Sequence, residues 1–359
     1  MNTAITACGK AVPSHVLPNS GLEGMLDTTH RWIVERTGIV ERRVAGPGED
    51  NLSLALEACR GALEEAGMEG ADIGLIVVAS ATTDRLVPAM ACTLQKELGA
   101  FGPALDINAG CSGFLYALAV ADRFMRGGMA ERALVVGTET LTRIVDWRDR
   151  STCVLFGDGA GAAVLSPCPV GEGILQLVLG AEGRGDEYIC AGGGGARMMA
   201  SLKGGLEGAE EGDAERLPFL RGDWDRGYPF VRMQGRKVFR FAVETICGTL
   251  RGLCEKASVE PRDLDLVVPH QANHRIVQAA AERLGLPLRR FFLNIDRYAN
   301  TSSASIPIAL QEAVSEGAVR EGDLVALVGF GAGLTWGGAL LRWPDGDTGK
   351  GKPERMGGR

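Results

Sequence analysis

Long uninterrupted apolar runs are missing from this 359-residue chain, because Gly or a charged residue breaks each of them well short of bilayer-spanning length. The opening M-N-T-A-I-T-A-C-G-K lacks the basic-then-apolar order of a secretory leader, so a cytoplasmic location without membrane insertion is expected. A basic excess is missing too. The formal charge of -7 argues against general nucleic-acid binding, which needs basic surface to displace counterions. The nine cysteines are odd in number and contain no C-x-x-C pair, so neither a disulfide framework nor a zinc site is expected. Histidine is scarce. Only four occur, and although His270 and His274 stand four apart, no third ligand and no H-E-x-x-H pattern accompanies them, so no metal is expected. The Gly-rich stretches 156–165 and 329–338 fit neither G-x-G-x-x-G nor a phosphate-binding Walker loop. What the chain does have is 45% hydrophobic residues, ample for a large buried core or two fused ones.

An internal repeat organises that material. Residues 64–83 (E-E-A-G-M-E-G-A-D-I-G-L-I-V-V-A-S-A-T-T) and 255–274 (E-K-A-S-V-E-P-R-D-L-D-L-V-V-P-H-Q-A-N-H) each end a helix, turn, enter an apolar strand and continue into a helix closing with Leu-Gly. Next come A-L-D-I-N-A-G-C-S-G-F from Ala104 and F-L-N-I-D-R-Y-A-N-T-S-S from Phe292, each predicting a short strand, a tight loop and a helix. Both halves then carry a continuous apolar run, from Ala133 and from Val325, of the kind expected of a strand buried on both faces. The expectation is two similar α/β halves, residues 1–168 and 169–343, meeting at a seam where loops from both converge. Residues 192–217 read as a Gly- and Glu-rich excursion, and 344–359 as a disordered tail.

Three loops along the seam carry the chemistry. Cys111 sits between Gly110 and Gly113 directly before an apolar helix, whose free N–H groups and dipole favour thiolate. On its own it reads more readily as a buried cysteine in a glycine turn. His270 follows the strand L-V-V-P, where Pro269 ends the ladder; alone it could cap the next helix instead. Asn300, before Thr-Ser-Ser, is by itself a turn or cap residue, and only the repeat places it opposite Cys111. A cysteine nucleophile facing two neutral donors suits acyl transfer through a thioester and stabilisation of an enolate.

With these segments in hand, the chain resembles the β-ketoacyl-acyl-carrier-protein synthase III family of thiolase-fold condensing enzymes. The likeness rests on R-W-I-V-E-R-T-G-I-V-E-R-R (31–43), N-A-G-C-S-G-F, F-G-D-G-A-G-A-A-V-L, V-P-H-Q-A-N, A-N-T-S-S-A-S and G-F-G-A-G-L-T-W-G, in order, and covers nearly everything from Ala4 to Trp343. It implies a five-layered αβαβα fold and a homodimer. It also implies a ping-pong cycle in which Cys111 takes an acyl group from acyl-CoA and malonyl-acyl-carrier protein then condenses with it, with no cofactor. Under the resemblance His270 and Asn300 serve the decarboxylating step, and the backbone N–H groups of Cys111 and Ala332 form the oxyanion hole. Here G-A-G stands where the family commonly has three glycines. Trp32 and Arg150 would sandwich the CoA adenine, and Arg36 and Asn273 would line the CoA tunnel. Val87 would end the acyl pocket, and Arg240, Arg275 and Arg283 would dock the acidic carrier protein. Rival readings are a condensing enzyme of polyketide or quinolone-type secondary metabolism, a cysteine hydrolase, and a non-catalytic acyl-binding protein.

Overall fold

The structure is a computed structural model that describes residues 2–192 and 230–344. The excursion expected over 192–217 and the tail expected over 344–359 therefore fall, but for Gly192 and Pro344, outside the described residues. The first half contains β1 (Asn2–Ala11), β2 (Val16–Pro18), α1 (Asn19–Glu23), α2 (His30–Thr37), β3 (Glu41–Arg43) and α3 (Asn51–Ala66). It continues with β4 (Leu75–Ala79), α4 (Met90–Leu98), β5 (Ala104–Ile107), α5 (Gly113–Arg126), β6 (Ala133–Thr140) and β7 (Asp158–Cys168). The second half has β8 (Gly173–Ala181), β9 (Ile189–Ala191), β10 (Val231–Met233), α6 (Gly235–Ala257), β11 (Leu266–Pro269) and α7 (His274–Leu284). It closes with α8 (Ile295–Tyr298), α9 (Ser305–Ser315), β12 (Leu324–Gly331) and β13 (Thr335–Arg342).

Local chemistry sets these elements. Asp50 caps α3 by accepting from the Ser53 N–H at 2.8 Å while the Ser53 hydroxyl accepts from the Asp50 N–H at 2.8 Å, a reciprocal pair that satisfies two otherwise orphaned donors. The small apolar face of α3, Leu54, Ala55, Ala58, Cys59 and Ala62, is buried, so the helix lies close on its sheet. Strands β6 and β12 are buried along their whole length, as their continuous apolar runs predict for strands covered on both faces.

The repeat appears as a shared strand order. One sheet runs β1-β7-β6-β4-β5 and the other β8-β13-β12-β11, with the β4–β6 and β11–β12 pairs parallel and the remaining equivalent pairs antiparallel. Helices α5 and α9 are sandwiched between the sheets in one apolar core that draws on both. Helices α3 and α4 cover the outer face of the first sheet, and α6 and α7 that of the second. This is the five-layered αβαβα arrangement. One expected element differs. The strand read from Phe292 reduces to a single bridge between Val267 and Phe291. The Gln271 side chain takes the ladder groups there, donating to the Phe292 carbonyl at 3.1 Å and accepting from the Asn294 N–H at 3.1 Å, which turns the chain into α8. Among the described residues no helix is long and apolar enough to cross a membrane.

Candidate active site

A cavity of about 280 Å³ opens at the seam and is lined by residues of both halves, among them Cys111, His270 and Asn300. Cys111 occupies the middle of a single turn of 3-10 helix, Gly110–Ser112, that runs into α5. The turn is backed by the end of β12. A Cβ on Gly331 would stand 2.4 Å from the Cys111 backbone nitrogen, so only glycine lets the two backbones approach this closely. Gly110, at φ +53°, faces the Ala332 backbone in the same way. Thr335 ties the two loops together, donating to the Ala109 carbonyl at 2.7 Å, with the Ser112 hydroxyl 2.7 Å away.

The Cys111 thiol is held up to about 12, first by burial and further by the Glu139 carboxylate, against a hydrogen bond from Ser302 that pulls the other way. The direction of this shift opposes the thiolate that the helix N-terminus was expected to favour, although the sulfur lines the cavity and Cys111 is only partly buried. His270 is 1% exposed, and burial depresses it to about 3, so its ring is neutral at physiological pH. Its backbone N–H donates to the Val328 carbonyl at 2.8 Å, its Nδ1 lies 2.6 Å from the Ser305 hydroxyl, and Phe330 packs edge-on at 5.3 Å. Asn300 is fixed from two sides. Its backbone bridges to the 155–157 segment, donating to Leu155 and accepting from Gly157, while its side-chain oxygen accepts from the Ser302 N–H at 2.8 Å. Because a backbone N–H can only donate, that bond leaves the Asn300 amide NH₂ as the free, donating end.

The outer part of the cavity is built on α2. Trp32 has two guanidinium groups within cation–π reach, Arg36 at 4.7 Å and Arg150 at 5.3 Å from the ring centre. Arg150 also pairs with the Asp27 carboxylate at 3.3 Å. Asn273 caps α7, accepting from the Arg275 N–H at 2.9 Å and donating to the Arg36 carbonyl at 3.0 Å, so its amide holds α2 against α7. Arg275 lines the cavity, whereas Arg240 and Arg283 are exposed on α6 and α7 away from it, Arg240 pairing with Glu244 at 3.3 Å. Val87 lies apart from the cavity of its own chain. It is 80% exposed beside Leu86, at 67%, on the loop after β4, so as a single chain it closes no acyl pocket.

Two groups near the site were not singled out from the sequence. Glu139, fully buried at the end of β6, accepts from the Ala81 N–H at 3.1 Å, the Thr82 hydroxyl at 2.5 Å and the Ser303 hydroxyl at 2.8 Å. Ser305 is the partner of His270. A charge between two threonines at the end of the buried run A-L-V-V-G-T-E-T is the signal that could have found the first. Among the described residues no cluster of three or more His, Cys, Asp or Glu side chains could hold a metal ion.

Comparison with known proteins agrees with this architecture. Residues 105–183 match the family model for 3-oxoacyl-acyl-carrier-protein synthase III, and 254–343 match the model for its C-terminal part. The chain is 46% identical over 344 residues to the β-ketoacyl-acyl-carrier-protein synthase III of Roseiflexus castenholzii, covering 96% of this chain and 98% of that one. It superimposes on the crystal structure of the Thermus thermophilus synthase III with a TM-score of 0.83 at 43% identity, covering 95% and 99% of the two chains. The priming β-ketosynthase of a polyketide biosynthetic pathway matches with a TM-score of 0.83 at 34% identity, covering 96% and 97%. Likeness over nearly the whole chain, on a duplicated fold whose seam holds a cysteine, a histidine and an asparagine, makes this protein a condensing acyltransferase belonging to the β-ketoacyl-acyl-carrier-protein synthase III family.

Proposed function

We propose that this chain primes fatty acid synthesis by condensing an acyl-CoA with malonyl-acyl-carrier protein, with Cys111 as the residue that carries the acyl group. The observation that supports this reading best is the continuity of one cavity from the Trp32 end to Cys111, His270 and Asn300. Trp32 with Arg36 and Arg150 would receive the adenine and phosphates of CoA, and Asn273 would hold that wall in place. The Cys111 sulfur adds to the thioester carbonyl, the oxyanion is met by the backbone N–H groups of Cys111 and Ala332, and CoA leaves with the thiol proton. Malonyl-carrier protein follows. The neutral His270 ring and the Asn300 amide donate to the malonyl thioester oxygen as CO₂ departs, and the resulting carbanion attacks the acyl-cysteine, releasing a β-ketoacyl-carrier protein. A histidine held neutral by burial suits this donor role better than it suits the water-activating base of a hydrolase.

The halves 1–168 and 169–343 are taken as the two units that supply the nucleophile and the donors. Homodimerisation is part of the proposal. Strand β5 forms an open sheet edge, and Leu86, Val87 and Phe101, the last 70% exposed, leave apolar surface on the loops beside it. Val87 would then line the acyl pocket of a second copy. Arg240, Arg275 and Arg283 are proposed to face the acidic carrier protein. A second reading, a priming enzyme of polyketide synthesis, is favoured by the equal TM-score of the polyketide priming β-ketosynthase.

The test is intact-mass analysis after incubation with a panel of acyl-CoAs. An acyl-sized mass gain is expected in the parent and none in Cys111→Ala; a gain that survived in Cys111→Ala would place the nucleophile elsewhere. His270→Ala and Asn300→Ala should still acylate but lose condensation, and parental condensation in either would remove it from the proposed role.

A further inference from the structure

Ser305 opens α9 and is buried, and among the described residues its hydroxyl has two contacts. Nδ1 of His270 lies 2.6 Å from Oγ, and the Gln271 backbone N–H donates to Oγ from 3.4 Å. A backbone N–H can only donate, so it occupies a lone pair of the serine and leaves the hydroxyl hydrogen to find an acceptor. The only acceptor in reach among these contacts is Nδ1. Were Nδ1 itself protonated, it too would donate to Oγ, and the serine hydrogen would be buried with no acceptor. Nδ1 therefore accepts, and in a neutral ring the proton stands on Nε2. The ring has little freedom to turn away, since the His270 backbone is tied to Val328 and Phe330 packs edge-on at 5.3 Å.

We propose that Ser305 is a positioning residue for the decarboxylating half-reaction: by donating to Nδ1 it fixes His270 as the Nε2–H tautomer, so that the ring offers the cavity a hydrogen-bond donor rather than a lone pair. The proposal deepens the reading of His270 as a donor and rests on it. Ser305 forms no bond to substrate and moves no proton in the cycle. Its effect is on which ring nitrogen carries one before malonyl-carrier protein binds.

The experiment is nitrogen NMR of the full-length chain labelled at its four histidines, with the His270 signals assigned by their loss in His270→Gln. The parent should show His270 with a proton on Nε2 and a bare, hydrogen-bonded Nδ1. Ser305→Ala should shift the ring toward a mixture of tautomers, and Ser305→Thr, which keeps the hydroxyl, should restore the parental pattern. In parallel, Ser305→Ala should lower the condensation kcat on the order of tenfold, less than the ~10²–10³-fold cost of deleting a preorganised donor outright, while Cys111 acylation falls by much less. A parental tautomer pattern in Ser305→Ala, or an Nδ1–H tautomer in the parent, would overturn this proposal and leave the donor role of His270 standing. A shifted tautomer with undiminished condensation would overturn both together.

Discussion

At Cys111 burial and hydrogen bonding pull in opposite directions, and burial wins, holding the thiol up to about 12. Alkylation of Cys111 by iodoacetamide in the absence of substrate should therefore climb roughly tenfold per pH unit from pH 7 to 10, with no plateau near the ordinary thiol value. A plateau below pH 9 would show a thiol activated before substrate binds. His270 shifts the other way. Its folded value is depressed to about 3, so its contribution to stability is fully present above the ordinary imidazole value of 6.5 and is lost as pH falls from there toward 3. Thermal melts at pH 7.5 and 4.5 should accordingly show a smaller loss for His270→Asn than for the parent, and equal losses would contradict the neutral buried ring. Gly331 tests the backing of the nucleophile. A methyl group there meets the Cys111 nitrogen at 2.4 Å, a backbone contact that no rotamer relieves. Gly331→Ala should slow acylation by about 10²-fold through misplacement of the nucleophile, read as the rate of acyl mass gain.

Between elements, Glu139 does for the two halves what Ser305 does for one ring. From the end of β6 it gathers the loop after β4, through Ala81 and Thr82, and the loop that carries Asn300, through Ser303, whose single hydroxyl hydrogen is shared between Glu139 at 2.8 Å and the Ala79 carbonyl at 2.9 Å. Ser303→Ala removes the one hydroxyl donor that these two buried acceptors share, so denaturant unfolding should show a loss of about 1–3 kcal/mol. A change within ~0.5 kcal/mol would mean that this contact adds nothing to what holds the halves together. The elements themselves were legible where periodicity and burial agree: β4, β6, β11 and β12 are continuous apolar runs, and α4 and α7 end at the Gly99 and Gly285 that the sequence marks. The segment at Phe292 was not, because a side chain distant in sequence, Gln271, supplies the bonds a neighbouring strand would otherwise make. Ser302, Ser303 and Ser305 look alike in A-N-T-S-S-A-S. Only the packing of that run sends one toward Cys111, one toward Glu139 and one toward His270.

On the scale of the whole molecule, the proposed acidic carrier protein would approach a chain of net charge -7, and like charges slow such an encounter unless a local basic face steers it. Arg240 and Arg283 are exposed on two helices, α6 and α7, that share one apolar core, and both stand off the cavity, whereas Arg275 lines it. That separation lets carrier docking and CoA binding be tested independently. Arg240→Glu combined with Arg283→Glu should lower kcat/KM for malonyl-carrier protein on the order of tenfold at low salt, with the gap closing as ionic strength screens the encounter. The same double variant should acylate from acyl-CoA at close to the parental rate. Trp32→Ala should give the reverse pattern, weakening acylation from acyl-CoA because the ring that Arg36 and Arg150 contact is lost, with little change in the carrier-dependent step. If the double charge reversal impaired both substrates equally and without salt dependence, the two arginines would act through the fold, and the docking face would have to lie around Arg275 at the cavity itself.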